Sequence, residues 1–106
     1  MPDRLWKAAE RAIAAKLGGV RVPVSGRSRG DAPDVAHDLL SIEVKTRQTL
    51  PAWLGEALSQ ATAAARTGQI PTVILHQTGQ RYDGALCLLR LADLAALLKL
   101  PPDAPR

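Results

Sequence analysis

Three segments with helical spacing of apolar residues, Arg4 to Leu17, Pro51 to about Thr67 and Leu91 to Leu100, alternate along the chain with short runs rich in β-branched residues. That alternation limits the fold more than any other feature. Helices separated by strands of only a few residues cover a sheet, which makes the class α/β. The element order reads αβββαββα. The expectation is a single domain over residues 1–100, a mixed five-stranded sheet flanked by helices, with a frayed tail at 101–106. A chain of 106 residues has room for one such domain and no second.

The boundaries have local causes. Asp3 is placed to cap the first helix and Gly18-Gly19 to stop it. At 100° per residue Leu5, Trp6, Ala9, Ile13 and Leu17 form its apolar stripe, with Glu10 at the edge and Arg4, Lys7 and Arg11 on the other side. Val20, Val22 and Val24 alternate with Arg21 and Pro23, which reads as an edge strand because Pro23 has no N–H to donate. Ser25 to Ala32 (SGRSRGDA) holds no apolar residue before Ala32 and reads as a surface loop carrying cations. Asp34 to Asp38 and Leu40 to Thr46 are the next two strands. Pro51 suits the first turn of the second helix, which packs through Trp53, Leu54, Ala57, Leu58, Ala61 and Ala65 and is closed by Gly68. Thr72 to His76 and Ala85 to Leu89 pair as strands, and the last helix packs through Leu91, Leu94, Ala95 and Leu98 before Pro101-Pro102.

Composition removes several function classes. Hydrophobic residues make 46% of the chain and charged residues 23%, the balance of a folded globule. The single cysteine, Cys87, excludes an internal disulfide, and His37 and His76 have no zinc-ligand spacing with it or with each other. A reducing compartment is expected: the cytoplasm of a bacterial, archaeal or phage-infected cell. No segment is long and apolar enough for a membrane span, and the charged start does not suit a signal peptide. The loop SGRSRG lacks the Gly-Lys-Ser/Thr ending of a phosphate-binding P-loop, so no nucleotide cofactor is expected. A net charge of +4 favours polyanionic partners. With only Trp6, Trp53 and Tyr82 aromatic, backbone contact with nucleic acid is expected over a base-stacking platform.

One constellation stands out: Pro33-Asp34, then Glu43-Val44-Lys45 on the following strand, with Glu10 upstream on the first helix. Side chains alternate along a strand, so Glu43 and Lys45 share one face and Ile42 and Val44 the other. If Asp34 sits on the neighbouring strand, its carboxylate approaches that of Glu43, and two close carboxylates need a cation or a proton between them. A hard divalent ion, magnesium with manganese able to substitute, suits all-oxygen donors and phosphodiester hydrolysis. Lys45 then either handles the proton of the attacking water or neutralises charge at phosphorus.

This pattern resembles the PD-(D/E)xK nuclease superfamily and, within it, the Holliday-junction resolvases of archaeal and phage type. The likeness runs through Glu10-Arg11, Arg21, Ser25-Gly26, Pro33-Asp34, Glu43-Val44-Lys45 and a following helix bearing Gln60. It implies a restriction-endonuclease-like core in which Asp34 and Glu43 hold the metal, Glu10 completes the site with Val44 in the metal set, Lys45 is catalytic and Ser25 lies near the scissile phosphate. It further implies a homodimer acting on four-way DNA junctions, with Arg11, Arg21, Ser25, Arg27, Arg29, Arg47 and Gln60 meeting DNA and Arg66 adding charge.

Plainer readings stand beside these. A Glu-x-Lys tripeptide by itself occurs in about one chain in three of this length. Glu10 can form a surface pair with Lys7, Ser25-Gly26 can be turn chemistry, Gln60 can be a solvated polar residue, and Trp6 and Trp53 suit a core or a dimer contact. Two rival functions follow: a nicking, repair or restriction-type nuclease on the same core, and a non-catalytic DNA-binding module.

Overall fold

The computed structural model describes residues 2–23 and 32–99. Its elements are α1 (Pro2–Leu17), β1 (Val20–Arg21), β2 (Val35–Ala36), β3 (Ser41–Ile42), α2 (Ala52–Ala64), β4 (Val73–Leu75), a 3-10 turn (Tyr82–Gly84), β5 (Leu86–Leu88) and α3 (Leu91–Leu98). The order αβββαββα is therefore the observed one. The chain divides into two compact units, Met1–Gln48 and Thr49–Arg106, each with a sheet of its own.

The expected five-stranded mixed sheet is not formed among the described residues. One sheet has three strands in the order β1-β2-β3, the other has two, β4-β5, and every pairing is antiparallel. β-Branched runs mark where strands fall, but ladder membership depends on backbone pairing that composition does not encode. The strands are also shorter than the runs that signal them, two or three residues each.

In the first unit α1 packs on β1 and β2. Val35, in the central strand, is fully buried, and Ala14 and Leu17 are buried on the helix that packs against it. Two adjacent glycines allow this for different reasons. Gly18 ends α1 with φ +75°, a conformation that strains any residue with a Cβ. A Cβ on Gly19 would lie 2.5 Å from the carbonyl oxygen of Ala36 and 2.8 Å from Cγ1 of Val35, so the chain leaves the helix in contact with β2. Leu5, assigned by periodicity to the apolar stripe, is exposed instead, and Glu10, Ala14 and Leu17 are the buried residues of α1. The small Ala14 lets the helix turn that side toward the sheet, which places Glu10 inside the covered face instead of at its edge. On β1 the expected alternation is likewise turned over, with Val20 exposed and Arg21 half-buried.

In the second unit α2 packs on β4, and Leu54, Ala57, Leu58 and Ala61 are its half-buried residues. It stops at Ala64, ahead of the expected end near Thr67, where the turn Arg66–Gln69 takes over: Gln69 N–H donates to Arg66 O at 2.9 Å and Gly68 has φ +86°. Trp53, expected among the packed positions, is exposed. β4 and β5 pair with Val73 opposite Leu88, Ile74 opposite Cys87 and Leu75 opposite Leu86. α3 begins after Arg90, whose Nη1 donates to Thr62 Oγ1 of α2 at 3.1 Å, and Ala95 is its buried residue. The expected tail at 101–106 lies outside the described residues.

Candidate active site

Asp34 is held by three neighbours at once. Its N–H donates to Ile42 O at 2.9 Å, its carbonyl accepts from Val22 N–H at 2.9 Å, and its Oδ2 accepts from Val44 N–H at 2.6 Å. Ile42 faces Val35 in the β2–β3 register while its carbonyl takes the N–H of Asp34, so the ladder is irregular here and the N–H of Val44 is satisfied by a side-chain oxygen. Ile42 and Val44 flank Glu43, so the Pro-Asp half of the motif is tied to the Glu-x-Lys half by bonds on either side of Glu43.

Beyond the ladder the chain keeps its alternation. Ile42 and Val44 are half-buried, whereas Glu43 and Lys45 are exposed, their side chains 61% and 70% accessible. Lys45 Nζ lies 3.8 Å from Glu43 Oε2, so the two share one face as the period-two spacing requires. A solvated pair at this distance is worth well under about 1 kcal/mol. Its significance is therefore the placement of an acid and a cation together.

Glu10 is only 4% exposed. Its Oε1 accepts from Arg21 Nε at 2.8 Å, an ion pair that joins α1 to β1. The Arg21 guanidinium also lies over the Trp6 ring, 5.6 Å from the centroid, and Lys7 Nζ stands 5.8 Å from the same centroid. Trp6 and Glu10 are one helical turn apart, so both reach the same residue of the next element. That i, i+4 spacing is the signal by which the cluster could have been found in the sequence.

Among the described residues no three His, Cys, Asp or Glu side chains come together as a metal-binding group. The donor chemistry nevertheless suits a hard cation. Magnesium is held through one or two carboxylates plus substrate phosphate, with water completing the octahedron. A carboxylate has about four lone-pair directions, so the bond from Val44 N–H is compatible with ligation by Asp34. Asp34 and Glu43 are the carboxylates that could hold it, with Glu10 the third acid of the expected set, its Oε1 engaged by Arg21.

The remaining residues fall as follows. Arg11 is exposed on α1. Arg47 is exposed past β3, its Nη1 donating to Thr46 O at 3.0 Å. Gln60 on α2 and Arg66 after it are exposed in the second unit. Ser25, Arg27 and Arg29 lie outside the described residues. His37 is half-buried, its Nδ1 accepting from Leu39 N–H at 3.0 Å in the turn between β2 and β3.

No family model, curated protein or solved structure matches this chain. Among the described residues no helix is long and apolar enough to cross a membrane.

Proposed function

We propose that the chain is a magnesium-dependent endodeoxyribonuclease of the PD-(D/E)xK type, with four-way DNA junctions as its preferred substrate. The observation that carries this reading is the 2.6 Å bond from Val44 N–H to Asp34 Oδ2, which fixes one acid against the segment bearing Glu43 and Lys45. Asp34 and Glu43 hold the cation, and Val44 contributes through its backbone. Magnesium supplies Lewis acidity toward a phosphoryl oxygen and lowers the pKa of water beside it. Lys45, on the face of Glu43, meets the charge that develops on the phosphate. Glu10 completes the site, and its ion pair with Arg21 ties α1 to β1.

Arg11 and Arg47, both exposed, supply backbone contacts together with Ser25, Arg27, Arg29, Gln60 and Arg66. Such contacts position the duplex without reading sequence. For a homodimer, exposed Trp53, Ile74 and Leu86 line one groove of the second unit and offer the apolar surface a second copy would cover.

Incubation with labelled four-way, flap and linear DNA in magnesium tests the reading. Cleavage of the four-way junction with linear duplex left intact is the expected result. Equal cutting of all three would move the assignment to a general or repair-type nuclease. Junction binding without any cleavage in magnesium or manganese would leave only a DNA-binding module.

A further inference from the structure

The connection between β4 and β5 is built from its own polar groups, and Gln80 organises it. Gln80 N–H donates to Gln77 O at 2.9 Å, its Oε1 accepts from Gln77 N–H at 3.3 Å, and its Nε2 donates to Gly84 O at 2.9 Å. Gly84 N–H closes on Arg81 O at 3.0 Å and Ala85 N–H on Tyr82 O at 3.0 Å. The Nε2 of His76 hydrogen-bonds Gln80 O at 2.8 Å, which fixes the ring against the loop. On that ring lies Tyr82, with centroids 4.6 Å apart and planes 26° from parallel. Tyr82 is nonetheless 82% exposed. One face of the phenol ring is backed by His76, and the rest of the side chain stands in water.

A surface concavity here is lined by Arg81, Tyr82 and Asp83 alone. It combines an aromatic plane, a fork of guanidinium donors and a carboxylate acceptor. Those are the three features of an unpaired nucleotide's complement: a flat face to stack on, a base edge bearing both donors and acceptors, and a phosphate that seeks a cation. A base inside a duplex has both faces covered by its neighbours and cannot use the ring. Protein side chains would find no aliphatic wall in this concavity. Compact loops packed on their own side chains often carry function, and a prefixed ring loses little freedom on binding.

We propose that the Arg81–Tyr82–Asp83 concavity is a stacking site for one unpaired DNA base, Tyr82 taking the base face and Arg81 the adjoining phosphate. The proposal rests on the DNA-directed reading above and deepens it, since it makes unstacked bases near a branch or gap a part of what is recognised.

The test uses the full chain, no divalent metal, and fluorescence anisotropy with three labelled DNAs: a linear duplex, a duplex with a three-nucleotide gap, and the same gap with abasic residues. Wild-type protein is expected to bind the gapped DNA about tenfold more tightly than its abasic counterpart. Tyr82→Ala should erase that ratio, Tyr82→Phe should keep it, and Arg81→Gln should weaken both gapped DNAs alike. Because Tyr82 is solvent-facing, far-UV circular dichroism of Tyr82→Ala should match wild type. DNA binding with no preference for bases over abasic sites, or a preference that survives Tyr82→Ala, overturns the stacking site and leaves the nuclease reading standing. No binding to any DNA overturns both. A base preference without cleavage activity supports the stacking site and overturns the nuclease reading alone.

Discussion

Glu10 and Arg21 meet at 2.8 Å across the seam of α1 and β1, with only 5% and 17% of their side chains accessible. A pair this sheltered is asymmetric in its energetics. Losing one member removes a charge-assisted hydrogen bond from a place water scarcely reaches, at a cost of about 2 kcal/mol, whereas losing both costs less than the two single losses together. Glu10→Gln and Arg21→Leu are each expected to lower the urea midpoint of the metal-free protein, and the double variant to lower it by less than the two together. If Glu10 served only to ligate a metal, its removal would leave metal-free stability unchanged.

The bond from Val44 N–H to Asp34 separates two functions of one carboxylate. Asp34→Asn keeps an acceptor for Val44 and so should retain the fold, while it discards the charge that a divalent cation requires. Asp34→Ala discards both. We expect cleavage of a four-way junction to fall at least about a hundredfold in either variant, and only the alanine variant to lose stability as well, by about 1–2 kcal/mol. Single-turnover cleavage and thermal unfolding, measured side by side, separate the two effects. Full activity in Asp34→Asn would remove Asp34 from the metal site.

The element order was legible because helical and β periodicities differ, and some boundaries carry a marker such as Gly18 or Pro51; α2 instead ends at Ala64, ahead of Gly68, and Asp3, read as a cap, lies within α1. The same-face placement of Glu43 and Lys45 was legible for a similar reason, since a period of two needs no knowledge of partners. What escaped is what depends on pairing. Nothing in the run from Thr72 to Leu89 tells whether its hairpin joins β1-β2-β3 or stands as a separate sheet. Nothing around Val44 announces that the side-chain oxygen of Asp34, just ahead of β2, will take its N–H. The burial of Glu10 was obscured by a hydrophobic count that gave Leu5 the weight of a core residue, although close approach to the sheet selects the small Ala14. Tyr82 was discounted because aromatic residues are few, and one ring on a preformed loop needs no others to present a face.

Glu43 and Lys45 lie in solvent, so their substitution should cost the fold little. Glu43→Gln and Lys45→Ala are each expected to abolish cleavage while leaving junction affinity within about threefold, because DNA affinity comes chiefly from cations along the phosphate backbone. Arg47→Ala is the complementary change. It should weaken binding across all sequences and reduce the slope of log affinity against log salt by about 1. Anisotropy titrations at several salt concentrations give the slope, and an unchanged slope would clear Arg47 of phosphate contact.

Three glycines allow the packing argument to be tested apart from any activity. Gly55 lies inside α2 with nothing within 4 Å of the place its Cβ would take, so Gly55→Ala should stabilise the protein by about 1 kcal/mol through helix propensity alone. At Gly18 there is equally open space, but φ is +75°, and alanine there should cost about 1 kcal/mol in backbone strain. Gly19 is the reverse case: its added methyl would sit 2.5 Å from Ala36 O, a backbone atom that cannot swing aside as a flexible side chain would. Relief requires α1 to lift from β2, which would loosen the cover over buried Val35 and disturb Asp34 one residue along. Gly19→Ala should therefore be the most destabilising of the three by urea unfolding, and the only one to reduce cleavage as well. If it unfolds no earlier than Gly18→Ala, the close passage of the chain from α1 into β1 over β2 is wrong.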